Sequence, residues 1–130
     1  MLVAALLAAT STTLSLDDGH LHLTVPATVR VQQQKVNFET REYDLYDGDS
    51  KTPLLQIVDG GGSYDLTAFS KTCLNGRPAW LDDGGDSGIL VVGEPGSWAV
   101  AAYWQKLSGD QLIMAKEIIR SLEIDFGPKC

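Results

Sequence analysis

His20 and His22 are the only two histidines in the chain of 130 residues. With Leu21 between them, both imidazoles fall on one side of a strand, a geometry that can bind a metal. The only acids nearby in sequence are Asp17 and Asp18, so a solvated strand face is the favoured reading, and no metal or other cofactor is expected. Serine catalysis finds little support. Asp86-Ser87-Gly88 is a faint echo of a nucleophile turn, and the G-x-S-x-G that holds a hydrolase serine in a strained elbow does not occur. The 17 Asp and Glu residues could numerically supply a carboxylate pair for glycoside hydrolysis. Nearly all of them sit in glycine-rich turns, where water keeps a carboxylate ionised and unfit as a general acid. No enzymatic activity is expected.

Three of those turns are the more informative group: Asp44-Leu45-Tyr46-Asp47-Gly48-Asp49, Asp59-Gly60-Gly61-Gly62-Ser63-Tyr64 and Asp82-Asp83-Gly84-Gly85-Asp86. They lack the EF-hand order with its final bidentate Glu. They also lack the Lys and Ser/Thr of a phosphate-binding loop, and their carboxylates would oppose a phosphate. A rim of acidic loops with interspersed aromatics suits insertion into a groove of another protein. The candidate partner-binding residues are Tyr46, Asp47, Asp49, Asp59, Tyr64, Trp80, Asp82, Asp83 and Asp86. The alternative reading is a set of ordinary hairpin turns.

Leu2 to Ala9 is an unbroken apolar run closed by Thr10-Ser11-Thr12-Thr13. As a helix it spans about 12 Å, too short to cross a bilayer, and it fits the apolar region of a secretory signal. Residues 1–13 are therefore expected to be an export signal or N-terminal extension, and 14–130 a single domain. Leu7-Ala8-Ala9-Thr10 has the form of a lipoprotein signal with Thr10 in place of the lipid-bearing Cys, which weakens any expectation of membrane anchoring. In an oxidising compartment Cys73 and Cys130 invite a disulfide closing a loop of about 58 residues, worth roughly 4 kcal/mol; a free terminal Cys is the alternative. No C-x-x-C occurs, which argues against zinc and thioredoxin-type chemistry. The net charge of −7 repels phosphate backbones, so nucleic acid is not an expected partner.

The elements that would carry these residues follow from periodicity. Leu14 and Leu16, then Leu21, Leu23 and Val25, alternate with polar residues around Asp17-Asp18-Gly19, the signature of a hairpin ended by Pro26. Val29 and Val31 form a short strand or loop. Val36 to Leu45 and Leu54 to Val58 read as paired strands. Tyr64 to Thr72 reads as a short helix with Ser63 as N-cap and Leu66 and Phe69 as its stripe. Pro78–Leu81, Ile89–Val92 and Trp98–Trp104 read as strands, with Asp82–Gly88 as a loop, and Trp98, Tyr103 and Trp104 are assigned to the core. Ser108 and Gln111 form a capping box for a final helix whose apolar face is Leu112, Ala115, Ile118, Ile119 and Leu122. The expected fold class is α+β: an antiparallel sheet of about six strands with one short and one long C-terminal helix. A long exposed edge strand could pair two copies into a homodimer.

The Leu21-to-Pro26 strand and the helix Ala115-Lys116-Glu117-Ile118-Ile119-Arg120-Ser121-Leu122 resemble the Mog1/PsbP-like domains, which include exported DcrB-like proteins. Within that class the chain is similar to periplasmic immunity proteins of bacterial type VI secretion systems, in particular the inhibitors of calcium-dependent peptidoglycan muramidases. The resemblance implies a periplasmic, lipoprotein-like, non-catalytic inhibitor whose partner is an exported cell-wall hydrolase, with any calcium belonging to that hydrolase. A general PsbP/DcrB-type binding or scaffold module is the rival expectation.

Overall fold

Leu21, Leu23 and Val25 are buried while His22 and Thr24 between them are half-buried, so Leu21–Pro26 is a strand with one face in the core. The structure is a computed structural model that describes residues 11–16, 19–36, 40–60, 64–94, 96 and 98–130. The apolar run 2–9, Asp17, Asp18, Phe38, residues 61–63 and Pro95 lie outside the described residues. No described helix is long and apolar enough to cross a membrane.

The described strands are β1 (Ser11–Leu16), β2 (Leu21–Pro26), β3 (Val29–Val36), β4 (Arg41–Asp47), β5 (Leu55–Asp59), β6 (Ser70–Leu74), β7 (Arg77–Asp83), β8 (Gly88–Glu94), β9 (Trp98–Trp104) and β10 (Glu123–Ile124). The described helix is α1 (Gly109–Arg120). They form a three-stranded sheet, β1-β2-β10, and a seven-stranded sheet, β3-β4-β5-β9-β8-β7-β6. Every pairing is antiparallel. The protein is mostly β, and the expected single sheet of about six strands with two helices is corrected to ten described strands in two sheets with one described helix.

The short helix expected over Tyr64 to Thr72 is not formed. Asp65 Oδ1 instead accepts from the backbone N (3.2 Å) and hydroxyl (2.8 Å) of Thr67, a local turn that competes with helix. Ser70 to Leu74 then pair with Arg77 to Leu81 across Asn75-Gly76. Both turn residues have positive φ, 48° and 84°, as a tight hairpin with right-handed strand twist requires. At the other end of the chain Ser108 occupies the N-cap position of α1 with extended dihedrals, and its hydroxyl makes no capping hydrogen bond.

One apolar cluster joins the two sheets. Leu21, Leu23, Val25 and Ile124 of the small sheet meet Ala115, Ile118 and Ile119 of α1 and Leu45, Ile57, Leu90, Val100 and Trp104 of the large sheet. Each of the larger side chains contributes about 2 kcal/mol on burial, so the sheets form as one unit. A second set, Val91, Ala99 and Ala101 with Tyr64, Leu66, Phe69, Ile89 and Tyr103, lies on the opposite face of the large sheet. There the chain from β5 to β6 crosses the sheet, and the small side chains of Ala99 and Ala101 leave room for it. Leu66 and Phe69, the expected helix stripe, are the groups that seat this crossover. A disulfide joins Cys73 of β6 to Cys130, Cα–Cα 6.1 Å, and so ties the C-terminal tail to the edge of the large sheet.

Candidate interaction surface

The register of the large sheet divides the expected site residues among four places. Strands β4, β7 and β9 end, and β5 and β8 begin, on the same side of the sheet. The β4–β5 turn with Asp47 and Asp49 and the β7–β8 turn with Asp82, Asp83 and Asp86 are therefore neighbours at that end, roughly 15 Å apart across the intervening strands. Tyr46, Trp80 and Asp82 project from the sheet face opposite α1, by their parity with the buried residues of the same strands. Tyr64 lies in the crossover on that face. Asp59 is the exception. It sits at the opposite end of the sheet, 0% exposed, with its Oδ1 accepting from Trp98 Nε1 at 3.1 Å. Asp59 is a buried structural carboxylate, and its assignment to a partner-binding surface is corrected on that ground.

The acidic turns are fixed from within. Asp83 Oδ1 accepts from the Gly85 N–H at 2.9 Å, and Lys116 of α1 reaches Oδ2 at 3.0 Å. These contacts, the backbone N–H foremost, hold the Asp83 carboxyl below its ordinary pKa. Trp104 Nε1 donates to Gly85 O at 3.0 Å, and Leu107 N to Asp86 O at 2.9 Å, so the turn is anchored to β9 and to the link into α1. In the other turn Thr28 Oγ1 donates to Asp47 Oδ1 at 3.0 Å, and the Arg30 guanidinium donates to Gly48 O and Ser50 O at 2.7 and 3.0 Å.

Cations steady the aromatic candidates. The Arg30 guanidinium carbon lies 4.4 Å from the Tyr46 ring centroid, and Lys71 Nζ lies 5.6 Å from that of Trp80. Each contact holds a half-buried ring in place at roughly 0.5–1 kcal/mol. The chain matches no family model, no characterised protein and no solved structure.

Between the crossover and β4 runs a groove that the loop reading missed. Its lining is Glu42, Gln56, Val58, Tyr103 and Gln105, and it continues past Gln56 and Tyr103 to Thr52, Pro53 and Lys106. Glu42, Asp44 and Tyr46 share this face of β4, two residues apart. That alternation of polar groups on a strand whose Tyr43 and Leu45 are buried was the available signal. Tyr103, assigned to the core from sequence, is half-buried and faces the groove.

Tyr64 has its pKa pushed up from 10.0 to about 12, mainly by burial and then by the neighbouring Tyr103. A raised phenol pKa stabilises the fold below the unfolded value and is lost as pH rises through the folded one. Stability is expected to fall by about 1 kcal/mol between roughly pH 10 and 12, after discounting for partial exposure. Phenolate absorbance should show a late ionisation near pH 12 that belongs to Tyr64. A Tyr64→Phe variant with an unchanged late phase would contradict this assignment.

The two histidines lie away from these residues, on the small sheet. His20 Nδ1 meets Asp125 Oδ1 at 2.9 Å and His22 Nδ1 meets Ser15 Oγ at 3.1 Å. Among the described residues no group of three or more His, Cys, Asp or Glu is placed to hold a metal ion. Ser87 Oγ accepts from Lys106 N at 2.9 Å, a turn contact.

Proposed function

We propose that this chain is an exported, non-catalytic inhibitor of a cell-wall hydrolase, an immunity protein in kind, that occludes the enzyme's substrate groove. The observation that carries the reading is the gathering, on one sheet, of two anchored acidic turns and two cation-braced aromatic rings. Preset turns lose little conformational freedom on binding, and Tyr and Trp rings are the side chains that most often anchor an interface. The acidic turns favour a partner with a basic or polar cleft and speed encounter with it. Residues 2–9 and the Cys73–Cys130 bridge agree with an address outside the cytoplasm. The likeness of Leu21–Pro26 and Ala115–Leu122 to Mog1/PsbP-like domains, together with the export signal, small size and acidic loops that resemble immunity proteins of that class, supplies the partner class, a peptidoglycan muramidase. The proposed location is the periplasm.

Capture from a periplasmic extract, with and without calcium, tests this. A single stoichiometric wall hydrolase is the expected catch, and D49K/D86K is expected to weaken its binding about tenfold or more. Recovery of envelope-assembly proteins alone would favour a general binding module. Affinity unchanged in D49K/D86K would remove the acidic turns from the interface.

A further inference from the structure

We propose that the groove between the crossover and β4 receives an arginine side chain of the protein partner, its guanidinium lying on the Tyr103 ring and donating to Glu42 and to the Gln56 amide oxygen. The inference rests on the reading of the chain as a protein-binding inhibitor and deepens it by naming what one part of the surface recognises.

Three observations converge on a planar, donor-only cation. The first is Asp44, which is 5% exposed and stands in register with Gln56 of the groove wall. Among the described residues its carboxylate receives one hydrogen bond, from Gln56 Nε2 at 3.4 Å, and no cation. An ionised carboxylate has about four acceptor sites and is costly to bury without a compensating charge. A negative centre next to the Gln56 wall of an open groove raises the affinity of that groove for a cation. The second is orientation. With its Nε2 turned to Asp44, Gln56 keeps its Oε1 as an acceptor for a ligand in the groove it lines. Glu42 adds a carboxylate on the same face of β4, so the polar wall is rich in acceptors. The third is the Tyr103 ring, which packs with Tyr64 against Val91, Ala99 and Ala101 and lines the groove beside Val58.

Arginine answers all three, since it carries five N–H donors and no acceptor, and its plane stacks on aromatic faces. A lysine ammonium matches the charge but not the stacking plane. Lys106 lines the far end of the groove, beside Thr52 and Pro53, and there it disfavours a second cation. It thereby confines the guanidinium to the Glu42 end.

The test is a titration of the isotope-labelled full chain, followed by NMR, with acetyl-arginine amide, acetyl-lysine amide, acetyl-glutamine amide and a tetramer of N-acetylglucosamine. Arginine amide is expected to shift the Gln56 and Gln105 side-chain amides and the Tyr103 ring. E42Q is expected to weaken that binding about fivefold, the effect of one partly exposed charge pair. D44N, nearly isosteric, should weaken it as well, and thermal unfolding will show whether it is folded. Equal shifts from glutamine amide, preferential shifts from the sugar, or an unchanged response in folded E42Q and D44N would each overturn the proposal. The two readings fail separately. Arginine binding at these residues without capture of any hydrolase leaves the groove assignment and removes the hydrolase. A hydrolase captured equally by the parent chain and E42Q leaves the hydrolase and removes the groove.

Discussion

Gly88→Ala lowers stability by about 3 kcal/mol, the upper end of the range for overpacking. Gly88 opens β8 in the register between Asp83 and Trp104. A Cβ there would lie 2.2 Å from Trp104 Cζ2, 2.3 Å from its Cη2 and 2.7 Å from the Asp82 carbonyl oxygen. The carbonyl belongs to the paired strand and has little freedom to retreat. The ring is 2% exposed and tied through Nε1 to Gly85 O, so moving it breaks a buried hydrogen bond as well as core contacts. Chemical denaturation would measure the loss, and a double-mutant cycle with Trp104→Phe would show how much of it runs through the indole. Because the same indole anchors the β7–β8 turn, G88A should also weaken partner binding. A G88A protein within about 0.5 kcal/mol of the parent, the range of ordinary surface changes, would contradict the close approach of Gly88 and Trp104.

Removing the disulfide is the second large effect. The bridge spans 57 positions and links the edge of the large sheet to the tail that follows β10 of the small one. The chain-entropy model assigns it about 4 kcal/mol, and measured bridges commonly give 2–4. Some of the tail's order survives without it. Cys130 N donates to Gly76 O at 2.9 Å, Arg77 Nη1 to Gly127 O at 2.7 Å, and Asn75 Nδ2 to Leu122 O at 2.7 Å. The C73S/C130S variant is therefore expected to lose about 3 kcal/mol, near 10 °C in melting midpoint for a chain of this size. The parent melted under reductant should move equally. Identical midpoints in all three samples would show that the tail is held by hydrogen bonds alone.

The parts of this fold legible from sequence were those with a clean period or a dense apolar run. Alternation gave β2, dense apolar runs gave the strands around Ile89 and Ala101, and the 3.6-residue spacing of Leu112, Ala115 and Ile119 gave α1. What failed was the segment from Tyr64 to Leu74. Leu66 and Phe69 sit three apart as on a helix, but their spacing serves a crossover that packs on Ala99 and Ala101. The Asn75-Gly76 pair was the stronger local signal, since a tight hairpin there demands β6 before it and β7 after it. The second sheet was invisible because β10 has two residues and exists through its pairing with Leu21 and His22, a contact of long sequence separation. Of the site, sequence found the acidic turns, whose Gly and Asp content marks them directly. It misplaced Asp59, because Asp-Gly-Gly reads as an exposed turn while the carboxylate is drawn inward by the Trp98 indole. It passed over the groove, since Glu42, Gln56 and Tyr103 come from three strands that only the sheet order brings together.

The most direct test of the inhibitor reading is a titration of the captured hydrolase, digesting purified peptidoglycan, with the intact protein. The account predicts that release of soluble fragments falls to zero near one equivalent, and that D49K/D86K needs about tenfold more to do the same. A digestion rate unchanged by excess protein would contradict it.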